Sequence, residues 1–70
     1  MTKFEVFEKE WKEYQKNNPE LRKGQACMVH LSEFDWGMCQ RVDYSIYDCF
    51  YDDKLLPATL KYLEKEWSDE

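Results

Sequence analysis

Apolar side chains recur at helical spacing near the start of the chain. Charged residues fill the positions between them, and the apolar positions follow at intervals of three, four and three: Phe4, Phe7, Trp11 and Tyr14. This one-sided pattern predicts an amphipathic helix. Thr2 precedes the pattern and Glu5 follows three residues later, which is the sequence signature of a capping box. Asn18 and Pro19 end the segment, because proline cannot continue the helical hydrogen-bond ladder.

The end of the chain carries a second pattern of the same kind. Three leucines and a tryptophan share one helical face, at Leu56, Leu60, Leu63 and Trp67. Asp53 precedes this face as a candidate N-cap. Pro57 falls in the first turn, where its missing N–H does no harm. The pattern therefore predicts a closing amphipathic helix.

The region between these two helices is less regular. Apolar residues keep a helical register from about 21 to 34, but Gly24 interrupts it, at a cost of about 1 kcal/mol relative to alanine in a helix. Two arrangements remain open. One helix begins at Pro19 with Asn18 as its N-cap, or a short turn over 19–23 precedes a helix that begins near Gly24. We favour the second arrangement.

The remaining residues are assigned to a turn and two helical pieces. We expect a turn over 35–37, a short helical piece over 38–42, and a helix over 44–51, where helical spacing returns. In the last of these, the residues expected to face inward are Ile46, Cys49 and Phe50. A second stripe of that helix consists of Tyr44, Tyr47 and Tyr51. The predicted fold is all-α: a compact bundle of three to four short helices in a single domain over 1–70.

The composition favours a folded chain and excludes several classes of protein. Aromatic residues make up 17% of the 70 residues, more than a disordered segment carries, and each ring buries roughly 150–250 Å². A domain of this size has little room for an enzyme pocket, so we expect no catalytic residues. No apolar run approaches the roughly 18 residues of a membrane span, and the first residues lack the apolar stretch of a signal peptide. We therefore expect no membrane association.

The cysteines indicate a reducing compartment. Cys27, Cys39 and Cys49 are twelve and ten positions apart, which matches neither a zinc knuckle nor a redox motif. They are expected to act as small buried hydrophobes in a cytoplasmic protein. Carboxylates at 48, 52 and 53 are the ligand type that Mg²⁺ or Ca²⁺ prefers, but no Asp-x-Asp-x-Asp-Gly loop is present and capping explains two of them. We expect no metal and no cofactor.

Two motifs carry a resemblance to a known group of proteins. They are Arg-x-Gly-Gln-Ala at 22–26 and Asp-Cys-Phe-Tyr-Asp-Asp at 48–53. With Asn-Pro at 18–19 and the Leu-to-Trp helix at 60–67, the chain resembles short uncharacterised proteins encoded by tailed phages and some bacterial genomes. It departs from that group at His30 and at the Trp-Gly pair of 36–37. The resemblance implies a phage-like origin and an intracellular role, and it supplies no activity.

Negative charge is concentrated in residues 33–53. This segment has six acidic residues and one base, a net charge of −5, whereas the first 24 residues carry +1. Six aromatic residues lie in the same segment. We expect Arg22 to reach one of its carboxylates, such as Asp48 or Asp52. The candidate partner-binding residues are Asp43, Tyr44, Tyr47, Asp48, Tyr51, Asp52 and Asp53.

Tyrosine beside carboxylate suits protein recognition, because the ring gives rigid contact area and the acids steer a basic partner. We hypothesise a small acidic, non-enzymatic binding protein in the host cytoplasm that inhibits or modulates a nucleic-acid-handling or defence protein. Its carboxylates would stand in for phosphates. Direct contact with nucleic acid is not expected, since the net charge opposes phosphate.

Two alternatives to this hypothesis remain open. In the first, the tyrosines form the core and the aspartates are a solvated face. In the second, the protein is a small structural or assembly subunit, which forms a homodimer or larger homo-oligomer through an aromatic helix face. The residues of such a face would be Phe7 with Trp11, or Leu63 with Trp67.

Overall fold

The computed structural model describes residues 1–68 and is all-α. Its helices are α1 (Lys3–Asn17), α2 (Lys23–Phe34), α3 (Trp36–Val42) and α4 (Leu56–Ser68), and a 3₁₀ turn (Asp53–Leu55) precedes α4. Helix α1 packs against α2 and α4, and α3 packs against α2. The predicted small helical bundle is confirmed. Across residues 1–68, no helix is both long enough and apolar enough to cross a membrane.

Both ends of α1 form as the sequence predicts. The Glu5 amide donates to the Thr2 hydroxyl oxygen at 3.1 Å, and the Thr2 amide donates to the Glu5 carboxylate at 3.1 Å. This capping box satisfies two amides that the helix leaves without partners, and the backbone hydrogen bond from Thr2 lowers the pKa of Glu5. Helix α2 begins at Lys23, so the arrangement with a short turn over 19–23 is the correct one.

The core combines aromatic side chains from α1 and α4 with aliphatic and sulfur-containing side chains from α2 and α3. Phe7 is fully buried, and its ring meets the Trp67 ring edge-on at a centroid distance of 5.3 Å and the Phe34 ring at 5.4 Å. The predicted apolar stripes of α1 and α4 supply the buried rings of this core. Both faces suggested for self-association are therefore packed inside the molecule, since Phe7, Trp11, Leu63 and Trp67 are all buried.

The cysteines behave as the sequence predicts. Cys27, Cys39 and Cys49 are free thiols, and all three are buried. Each packs in the same apolar core as the aromatic residues. They therefore act as small hydrophobic side chains.

Asp35 joins three helices at the junction of α2 and α3. One carboxylate oxygen accepts from the Lys3 ammonium at 2.8 Å and from the Trp67 indole at 3.2 Å, and the other accepts from the Met38 amide at 3.1 Å. The hydrogen bond from Lys3 is the main cause of the lowered pKa of Asp35. The predicted turn over 35–37 is thus shorter than expected, because Asp35 caps α3 and Trp36 is already helical.

The helix predicted over 44–51 does not form, and that prediction is wrong. The chain there makes a series of turns and bends, and Tyr44 has φ of 60°. Polar side chains compete with a helical ladder for the backbone. The Asp48 carboxylate accepts the Phe50 amide and the Ser45 hydroxyl accepts the Tyr47 amide, each two residues further on. Ile46, predicted to face inward, is consequently exposed.

Candidate partner-binding surface

The predicted site residues lie on the connection between α3 and the 3₁₀ turn, except Asp53, which is the first residue of that turn. We call residues 43–52 the acidic loop. Arg22, just before α2, donates to the carbonyl oxygens of Phe50 at 2.7 Å and Tyr51 at 3.3 Å. The sequence predicted instead that Arg22 would reach a carboxylate, and this is corrected by the structure. Because the loop is not helical, its carbonyl groups have no ladder partner and need another donor.

Gly24 lets the acidic loop approach the first turn of α2 closely. A Cβ atom built on Gly24 would lie 2.2 Å from the carbonyl oxygen of Cys49, far inside van der Waals contact. The Gly24 amide donates to the Asp53 carboxylate at 3.0 Å, and its carbonyl accepts from the Cys49 thiol at 3.6 Å. The two sequence motifs, at 22–26 and 48–53, therefore contact each other directly.

Two buried groups fix the inner side of the acidic loop. Cys49 is fully buried beside Cys27, and the hydrogen bond between these thiols, together with burial, raises the pKa of Cys27. Thr59 of α4 is also fully buried, and its hydroxyl donates to the Tyr47 carbonyl. Sequence reasoning missed Thr59. The available signal was a polar residue between Leu56 and Leu63 on the apolar stripe of α4, where a buried hydroxyl needs a partner.

Three of the four predicted aspartates shape the backbone. The Asp48 carboxylate accepts the Tyr44 amide at 2.9 Å and the Phe50 amide at 3.0 Å. Asp52 accepts the Lys54 amide at 2.9 Å and so caps the 3₁₀ turn. Asp53 accepts from Gly24, as described above. Because this segment is not helical, Asp48 and Asp52 do not share a helix face.

The tyrosines of the acidic loop differ in their surroundings. Tyr44 is 89% exposed and Tyr51 is 76% exposed, so neither belongs to the core. Tyr47 is half-buried, and its ring stacks on Tyr62 of α4 at a centroid distance of 4.5 Å. Ile46, which was not among the predicted site residues, is 77% exposed. The loop therefore presents two phenols and one aliphatic side chain to solvent.

Negative charge surrounds these apolar groups. Asp43 is exposed, and partial desolvation together with a hydrogen bond to Asp48 raises its pKa. With Asp52 and Asp53, the segment 43–53 contains four acids and no base. The Arg22 guanidinium lies next to the loop and offsets part of that charge. Among residues 1–68, no three histidine, cysteine or acidic side chains gather as metal ligands would.

No protein family, curated protein or solved structure matches this chain. Function is therefore inferred from the surface itself. Exposed phenols, an aliphatic side chain and carboxylates on a well-held backbone provide contact area and charge. Tyrosine is among the residue types enriched at the energetically dominant positions of protein interfaces.

Proposed function

We propose that the protein is a small acidic, non-enzymatic binding protein, encoded by a phage and active in the host cytoplasm, that inhibits or modulates a nucleic-acid-handling or defence protein. The observation that carries this proposal is the exposure of Tyr44, Ile46 and Tyr51 among the aspartates of the acidic loop. The proposed phage origin rests on the resemblance of the motifs at 22–26 and 48–53 to those of short proteins encoded by tailed phages.

The physical case combines charge with apolar contact. Exposed carboxylates attract a basic surface over about 8 Å at physiological salt and so raise the rate of encounter. A surface that binds nucleic acid is basic, and carboxylates can occupy the positions of phosphates on it. Charge alone gives weak contacts, whereas most of the binding energy at protein interfaces comes from a few buried anchor residues, among which tyrosine is enriched. The acidic loop offers both.

The predicted binding residues divide into two groups by their contacts. Asp48, Asp52, Asp53 and Tyr47 hold the shape of the loop through hydrogen bonds or stacking. Asp43, Tyr44 and Tyr51 are exposed, and none of their side chains binds the loop backbone in the way that Asp48 and Asp52 do. Changing the first group would disturb the loop as well as its surface, so a test of binding uses the second group.

A capture experiment tests the proposal. Immobilised wild-type protein and the double variant Asp43→Asn/Tyr51→Ala are compared for recovery of proteins from bacterial lysate, with identification by mass spectrometry. The matched control, Glu13→Gln/Trp36→Ala, removes one acid and one exposed ring elsewhere on the molecule. Supporting results are a salt-sensitive partner that the double variant fails to capture, and inhibition of the nucleic-acid activity of that partner by the wild-type protein.

Two outcomes would contradict the proposal. Equal recovery by the wild type and the double variant would remove the acidic loop as the binding surface. A captured partner whose activity on nucleic acid is unchanged by the protein would remove the inhibitory role.

A further inference from the structure

Tyr44 holds a backbone conformation that costs free energy for its residue type. Its φ of 60° lies in the left-handed region, which bulky L-residues rarely adopt. The Asp48 carboxylate holds the turn by accepting the Tyr44 amide at 2.9 Å, and the Ser45 amide donates to the Val42 carbonyl at 3.0 Å. The surrounding backbone thus imposes this conformation on Tyr44.

The Tyr44 ring contributes nothing to the packed core. It is 89% exposed, the highest fraction among the large hydrophobic side chains that face solvent. By contrast, the Tyr51 ring rests edge-on against Phe50 at 4.8 Å, and the Tyr47 ring stacks on Tyr62. Ile46, two residues beyond Tyr44, is the other apolar side chain that projects from this turn.

We infer that Tyr44, with Ile46 two residues further on, is the anchor that packs against apolar side chains flanked by lysine or arginine on a protein partner. This inference rests on the proposed function and specifies the chemistry of the partner at that same surface. Asp43 directly precedes the anchor and Asp48 holds its backbone, so the partner has to meet carboxylates next to this apolar contact. The same charges disfavour the other occupants, because nucleic acid and a second copy of this acidic loop would both bring like charge.

The test uses a displayed library of random linear peptides selected against the immobilised protein. We expect enriched peptides to combine lysine or arginine with aliphatic or aromatic residues. A representative synthetic peptide is then measured against wild type, Tyr44→Gly and Trp36→Ala. Glycine adopts the left-handed conformation without steric cost, so Tyr44→Gly should keep its thermal midpoint and the amide resonances of the helices. Its affinity for the peptide should fall at least tenfold, whereas Trp36→Ala, at the far end of α3, should stay within twofold.

Several results would overturn the inference. They are equal peptide affinity for Tyr44→Gly and wild type, enrichment of acidic or uncharged peptides, and the absence of any enriched peptide. If Tyr44→Gly disturbs the fold, Tyr44→Asn replaces it, because asparagine also tolerates this conformation. If the peptide binds Tyr44→Gly with wild-type affinity but does not bind Asp43→Asn/Tyr51→Ala, Tyr44 is not the anchor, and the acidic loop remains the proposed binding surface. Unchanged binding by both variants would reject both proposals.

Discussion

The aromatic core and the acidic loop keep their shapes by different means. In the core, large rings from α1 and α4 are buried against one another, so stability comes from the total apolar area removed from water. In the acidic loop only Cys49 is fully buried, and side chains such as Asp48, Thr59 and Arg22 bind its backbone. The loop thus depends on a few individual hydrogen bonds. Cys49 and Tyr47 pack against the core, whereas Tyr44, Ile46 and Tyr51 remain exposed.

The core should show the largest effect of a single truncation. Phe7→Ala removes a fully buried ring that contacts Trp67 and Phe34. We expect a loss of about 3–5 kcal/mol in the free energy of unfolding, a large part of the total for a small domain. Urea denaturation followed by circular dichroism measures it. Val6 is the half-buried neighbour of Phe7, and Val6→Ala should reduce the free energy of unfolding clearly less. Equal losses in the two variants would contradict the prediction that burial sets the size of the effect.

A methyl group at Gly24 should instead disturb the acidic loop. Gly24→Ala forces the Cys49 carbonyl away from α2, and we expect a loss of about 2–3 kcal/mol, as for other overpacked sites. Amide hydrogen exchange should speed up in the loop more than in α1. The control is Gly37→Ala, whose Cβ would make an ordinary 3.6 Å contact with Asp35. Equal losses of stability in the two alanine variants would show that the close approach at Gly24 does not determine the position of the acidic loop.

Two tryptophans of the core allow one hydrogen bond to be measured. The Trp67 indole donates to the Asp35 carboxylate, whereas the buried Trp11 indole N–H has no partner among the described residues. Replacing either tryptophan by phenylalanine removes a similar apolar area from the core. Trp67→Phe should therefore cost about 1.5 kcal/mol more than Trp11→Phe, the value of a hydrogen bond to a charged group. Thermal or urea unfolding measures both, and a larger loss for Trp11→Phe would reverse the assignment.

The smallest expected effect is on the pH dependence of stability, and it has opposite signs for Asp35, which binds the core residue Trp67, and Asp43 in the acidic loop. Because the hydrogen bond from Lys3 lowers the pKa of Asp35, its stabilising contribution is complete above the unfolded value of about 4 and is lost as pH falls through the lower folded pKa. The pKa of Asp43 is raised, so its contribution is present at low pH and is lost as pH rises through the folded pKa.

Asparagine variants separate the two contributions. Asp35→Asn should reduce the loss of stability on acidification, and Asp43→Asn should reduce the loss on raising the pH from about 4. Unfolding at a series of pH values, with the wild type as reference, measures both slopes. The same sign of change in both variants would contradict this assignment.

The sequence predicted the parts of the fold that depend on local pattern. Helices α1 and α4 each have an apolar stripe, so their existence followed from spacing alone. The predicted N-cap of α4 is wrong, because Asp52 caps the 3₁₀ turn before α4 and Asp53 accepts from Gly24 instead. The loop was missed because its tyrosines happen to stand at helical intervals. The groups that decide its shape lie far away in the chain: Gly24 and Thr59 act through contacts that no local pattern contains.

The sequence predicted which segment is both acidic and aromatic, and the role of that segment in binding stays a prediction. Charge concentration pointed to the segment that carries the exposed phenols, Tyr44 and Tyr51. Periodicity assigned Ile46 to the interior, because a wrong helical register reverses the direction of individual side chains. The aspartates were expected to act on a partner, but without the tertiary structure their backbone contacts were not visible.

The contact between the motifs at 22–26 and 48–53 has a consequence for engineering. A synthetic peptide copying the acidic loop would lack the guanidinium of Arg22, the bare backbone of Gly24 and the hydroxyl of Thr59, and it would sample many shapes in water. Any transplant of this surface onto another scaffold has to carry the start of α2 and one face of α4 with it.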